Sequence, residues 1–86
     1  MTASRVERLR AALEQALQPT LLEIRDDSAA HAGHAGAREG GHFHVRIASA
    51  RFAGLGPLAR HRLVYDAAGA LLKTDIHALS IDASLP

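Results

Sequence analysis

Six histidines and no cysteine occur among the 86 residues, so imidazole is the chain's only strong transition-metal ligand. Without thiols it can form no disulfide, no thiolate metal site of its own and no thiol nucleophile. His31, His34, His42 and His44 cluster in one stretch, with His61 and His77 further along. Histidine also serves as an acid or base, but no nucleophile–base pair stands at a recognisable spacing. There is no phosphate loop, and the carboxylates are scattered. Asp26-Asp27 suits turn chemistry better than a carboxylate dyad. The residue types therefore predict a binding protein and not an enzyme.

The basic residues are the second source of chemistry. A net charge of +1 argues against strong non-specific nucleic-acid binding by the whole chain. The distribution is uneven, however: Gly40 to Tyr65 contains no acidic residue but holds Arg46, Arg51, Arg60 and Arg62. Arg51, Arg60, His61 and Arg62 are the candidates for contact with a nucleic acid or a partner. At about 100° per helical residue, Arg60 and Arg62 point roughly 200° apart, so they do not form one phosphate-gripping stripe. Gly54-Leu55-Gly56 falls one residue short of the G-x-x-G loop that clamps a nucleotide backbone. Stacking platforms are scarce, since the aromatics are Phe43, Phe52 and Tyr65.

Positioning these groups requires a folded domain, and 48% apolar residues supply a modest core of Leu, Ile, Val and Ala. Ser4-Arg5-Val6-Glu7 has the form of a capping box. Val6, Leu9, Leu13, Ala16 and Leu17 then recur at helical spacing, and Pro19 stops the helix, which spans about Ser4 to Leu17. Thr20 to Asp27 reads as a strand. From Ala29 to Gly41 the chain is mostly Ala, Gly and His, too poor in large side chains to order itself, and is expected to be a flexible loop. Phe43, Val45 and Ile47 alternate with His42, His44 and Arg46, as in a half-buried strand whose histidines face outward. Pro57 suits the first turn of a helix whose stripe is Leu63, Val64, Ala67, Ala70 and Leu71. Ile76 to Ser84 reads as a last strand, on which alternation places His77 on the face of Leu79 and Ile81.

The order α-β-β-α-β predicts one α+β domain over 1–86, with a three-stranded mixed sheet and helices packed on one face. Its first two strands should run antiparallel, and the helical crossover should make the second and third parallel. On that topology His31, His34, His42 and His77 gather at one rim of the sheet. No apolar run approaches the roughly 20 residues that span a bilayer, and no signal peptide is visible, so a soluble cytoplasmic protein without membrane contact is expected.

Three stretches together resemble the BolA family. Arg51-Phe52-Ala53-Gly54 followed by Leu58-Ala59-Arg60-His61-Arg62-Leu63-Val64-Tyr65 is similar to the family's R-F-x-G and L-x-R-H-R-x-V-Y. Ile76-His77-Ala78-Leu79-Ser80-Ile81 is similar to its H-A-L strand. Asp26-Asp27-Ser28 with His31, then His42-Phe43-His44-Val45, resembles its hairpin with a variable loop. The resemblance covers about Ser4 to Ile81 and implies a fold like the class II KH domain. It implies a partner of monothiol glutaredoxins in iron–sulfur cluster handling and, for some members, a DNA-binding transcriptional regulator. His77 matches the family's H-A-L histidine, and His31 matches a loop position that is Cys or His in cluster-sharing members. The loop is richer in Gly and Ala than is usual in the family and adds His34 as a second candidate. The chain ends soon after the last strand, so the C-terminal helix of other members is expected to be short or missing.

The metal candidates are therefore His77, His31 and His34. A [2Fe–2S] cluster needs four ligands, and histidine can replace cysteine on one iron. This chain offers imidazoles alone. The remaining ligands must come from outside, and the resemblance supplies them as the active-site cysteine of the glutaredoxin and a bound glutathione. No cluster is expected to stay tightly bound to the isolated chain, which is expected to be a monomer or weak homodimer. Imidazole ligation makes cluster retention depend on pH, because the ligand must be neutral. The rival readings are a KH-like DNA-binding transcriptional regulator and a plain interaction module with incidental histidines. An autonomous zinc or nickel site from His31, His34 and His77 is a further alternative.

Overall fold

The computed structural model describes residues 4–27 and 41–86. The expected flexible loop, including His31 and His34, lies outside the described residues. Only its last position, Gly41, is described, and it is a buried strand residue rather than part of a loop.

The first helix, α1 (Arg5–Leu17), begins with the expected capping box. Ser4 Oγ accepts from the Glu7 N–H at 3.1 Å, and Glu7 Oε1 accepts from the Ser4 N–H at 3.4 Å. Leu9, Leu13 and Leu17 are buried, whereas Ala16, placed on the same stripe by spacing, is exposed. The helix ends at Gln18 in the left-handed region (φ 47°, ψ 55°), whose N–H donates to Glu14 O just before Pro19.

Two strands follow, β1 (Leu21–Asp26) and β2 (Gly41–Ala48). They pair antiparallel, with Ile24 opposite Val45 and Glu23 opposite Arg46. The last strand, β3 (Ile76–Ser84), pairs with β2 in parallel, so the sheet order is β1-β2-β3 as the topology predicts. Phe43, Val45 and Ile47 turn inward onto Leu9, Leu13, Leu17, Val64 and Ala68 in one apolar cluster. Both long helices lie against that face. His42, His44 and Arg46 stand on the other.

Between β2 and β3 the chain makes a 3₁₀ turn (Ala50–Phe52), then α2 (Pro57–Ala68) and a short α3 (Leu71–Thr74). Pro57 opens α2 as expected. The apolar stripe predicted to run unbroken to Leu71 is interrupted, because Gly69 adopts φ 56°, ψ −127° and redirects the chain. Ser49 is fully buried and holds this end of the sheet together. Its hydroxyl donates to Leu17 O at 2.6 Å and accepts from the Arg51 N–H at 3.1 Å. That pairing satisfies a carbonyl at the open end of α1 and caps the 3₁₀ turn at once.

Candidate histidine site at the sheet rim

The end of β1, the start of β2 and the start of β3 meet at one rim. Asp26 lies opposite Phe43 and Gly41 opposite Ile76, and the Asp27 N–H donates to His42 O at 2.7 Å. Asp75, just before β3, anchors this corner twice. Its carbonyl accepts from the Gly41 N–H at 2.9 Å, and its carboxylate accepts from Arg8 Nη2 of α1 at 2.8 Å.

His77 sits in an irregularity of the β2–β3 ladder. Gly41 pairs with Ile76, but His42 pairs with Ala78, so His77 is an extra residue with no partner across the strand. This β-bulge corrects the alternation-based expectation. Ile76 is buried and Leu79 and Ile81 pack against the core, while His77 is exposed and shares a face with neither Leu79 nor Ile81. One inserted residue lets Ile76 and Leu79 both turn inward and leaves the imidazole outside.

The neighbour of His77 is His42. Their ring centroids are 5.0 Å apart with the planes tilted at 40°. The alternating pattern grouped His42 with His44 as an outward pair, and both do lie on the outer face. His44, however, is paired elsewhere, with its Nδ1 3.2 Å from Ser80 Oγ. His42 and Phe43 of β2, Ala78, Leu79 and Ser80 of β3, and Asp27 line a shallow depression there. Asp27 is itself engaged, accepting from Arg25 Nε at 2.9 Å. Among the described residues no three His, Asp or Glu side chains converge as a ready metal site. The described part of the rim therefore presents two adjacent imidazoles and lacks the donors to close a coordination sphere. The parallel register sets the first residues of both strands side by side, which is why the expected topology already grouped His42 and His77 at one rim.

The basic candidates lie at the other end of the sheet and do not join the histidines. Arg60 is taken up structurally: its Nε donates to Leu55 O at 2.8 Å and its Nη1 to Ala83 O at 3.4 Å. Arg51 is exposed beside an apolar cavity lined by Ala16, Leu17, Leu55 and Leu63. His61 is half-buried and Arg62 exposed. Tyr65, the exposed aromatic, donates through its hydroxyl to Leu79 O at 3.1 Å. No helix among the described residues is long and apolar enough to cross a membrane.

An α-β-β-α-β chain with a histidine-bearing rim and these motifs defines a class, and comparison with known proteins gives it a family. The family model described as BolA-like protein matches residues 13–86. The chain belongs to the BolA family. It is 49% identical over 78 residues to BolA-like protein 1 of Mus musculus, covering 91% of this chain and 56% of that protein. The chain thus spans about half the length of such relatives. Its fold matches the solved BolA domain of SufE1 from Arabidopsis thaliana at TM-score 0.85 and 46% identity, covering 100% of this chain and 96% of that one. It is also 40% identical over 75 residues to the DNA-binding transcriptional regulator BolA of Escherichia coli (strain K12), covering 87% of this chain and 70% of that protein.

Proposed function

We propose that this chain is an adaptor that docks on a monothiol glutaredoxin and lends histidine ligands to a [2Fe–2S] cluster held between the two proteins. The observation that carries this reading is the exposed, bulged position of His77 at the rim, beside His42. The donor set fits a shared cluster. Neutral imidazoles can ligate one iron, and a cysteine-free chain cannot complete the coordination alone. His77 is the assigned ligand, and the segment between β1 and β2 supplies the second through His31, with His34 as the alternative. The cluster is cargo or a shared group, and its ligation by imidazole in place of thiolate raises its reduction potential.

The chain's own residues prepare the site. The bulge detaches His77 from the strand alternation, so the ring is not required by the core. Arg8 and Asp75 fix the corner from which β3 starts. Protonation of a ligating imidazole competes with iron, so cluster retention falls as pH is lowered.

The test mixes the protein with a glutaredoxin loaded with its cluster and follows visible absorption and circular dichroism. Wild type should change the spectrum on mixing, and His77→Ala should leave a spectrum distinct from that of the wild-type complex. Identical spectra for the two complexes would remove His77 as a ligand.

A second reading, DNA binding, is favoured by the Escherichia coli relative. Here it would rest on Arg51 and Arg62, since the Arg60 guanidinium is committed to carbonyls. Affinity that falls steeply with salt and distinguishes between sequences would support it. Weak, sequence-indifferent binding at physiological salt would eliminate it.

A further inference from the structure

The two edges of the sheet are finished differently. Gly41 N–H bonds to Asp75 O and Ser49 N–H to Ser84 O, whereas His42 O accepts from Asp27 N–H, so odd residues of β2 face β3 and even residues face β1. Leu79, Ile81 and Ala83 of β3 therefore turn their backbone groups to the outer edge. Two of those carbonyls are already occupied, Leu79 O by the Tyr65 hydroxyl and Ala83 O by Arg60. On β1 the outward-facing groups include those of Leu22 and Ile24. One long contact guards them among the described residues, Arg10 Nη1 at 3.4 Å from Leu22 O, made by an exposed side chain. Leu22 and Ile24 point to the helical layer but remain half-exposed.

The sequence of β1 is also complementary to itself. Antiparallel pairing of two copies centred on Ile24 sets Glu23 opposite the second copy's Arg25 at both symmetric positions. Because the even residues would exchange the backbone bonds, these charged pairs would occupy the non-hydrogen-bonded sites, where side chains approach most closely. Glu23 and Arg25 lie on the outer face, clear of the helices. Each already has an exposed ion pair within its own chain, Glu23 with Arg46 at 3.2 Å and Arg25 with Asp27 at 2.9 Å, and the interfacial pairs would extend these into a network. An open edge, a blocked opposite edge and a charge order that inverts onto itself describe an isologous interface. We infer that the β1 edge pairs antiparallel with the β1 edge of a second copy of this chain, joining two three-stranded sheets into one of six strands.

The test is sedimentation equilibrium of the full chain over a wide concentration range. Wild type should show a monomer–dimer equilibrium that weakens with added salt. Arg25→Glu sets two carboxylates against each other at both symmetric positions and should weaken dimerisation about ten-fold or more. The triple variant Glu23→Arg/Arg25→Glu/Arg46→Glu restores opposite charges across the interface in reversed order, keeps an ion pair between positions 23 and 46, and should recover affinity to within about three-fold of wild type. Circular dichroism confirms that each variant is folded. A folded wild type that stays monomeric at about millimolar concentration overturns the interface, as does a folded Arg25→Glu that dimerises like wild type. A folded triple variant that stays as weak as Arg25→Glu overturns the assigned register.

Discussion

The two ends of the sheet carry the two sets of motif residues, and they use them in opposite ways. At the end where β2 stops, three distinctive side chains are consumed by the architecture, while Arg51 and Arg62 stay exposed. Phe52 is fully buried, Ser49 bridges α1 to the 3₁₀ turn, and Arg60 straps α2 to Leu55 O and Ala83 O. At the rim where β3 starts, the distinctive residue is set outside the core by a bulge, and its ring meets another imidazole instead of a structural partner. A short motif thus has two different physical meanings within one chain. Phe52 and Arg60 of the R-F-x-G and arginine-rich motifs hold the fold, whereas H-A-L displays an exposed imidazole.

Substitutions at the two ends should separate these meanings. The largest effect is expected from Phe52→Ala, which empties a fully buried aromatic site and should cost about 3–5 kcal/mol in urea unfolding. Arg60→Ala strands two carbonyls and should cost about 1–3 kcal/mol by the same measurement. If Arg60→Ala were neutral for stability yet damaged partner binding, the assignment of that end to architecture would be wrong. His77→Ala should change unfolding free energy by no more than about 0.5 kcal/mol, because the ring is exposed on an unpaired bulge residue. A larger loss would mean that the rim, too, is structural.

Much of the fold was legible because its signals are local. The capping box, the leucines of α1, the alternation of Phe43, Val45 and Ile47 and the proline opening α2 each act over a few residues. The parallel pairing of β2 and β3 followed from the helical crossover between them. The bulge at His77 did not show, since strict alternation over Ile76 to Ile81 carries no mark of an inserted residue. It exists because Ile76 and Leu79 are both drawn into the core, a demand set by tertiary packing. The topology grouped His42 with His77 at one rim, but their ring contact depends on the register between strands distant in sequence. Arg60's role was open for the same reason: its acceptors are Leu55 O and Ala83 O, and the latter comes from a strand more than twenty residues away. The break at Gly69 was visible as a weak helix former, but sequence spacing alone did not show that the chain turns there.

The central claim is that His77 ligates iron in the complex with the glutaredoxin, and pulsed electron paramagnetic resonance of the reduced mixed complex tests it most directly. Wild type should show nitrogen couplings from an imidazole bound to the cluster, and His77→Ala, folded and still bound to the glutaredoxin, should lose the coupling from that ligand. Unchanged nitrogen couplings in the His77→Ala complex would contradict the account.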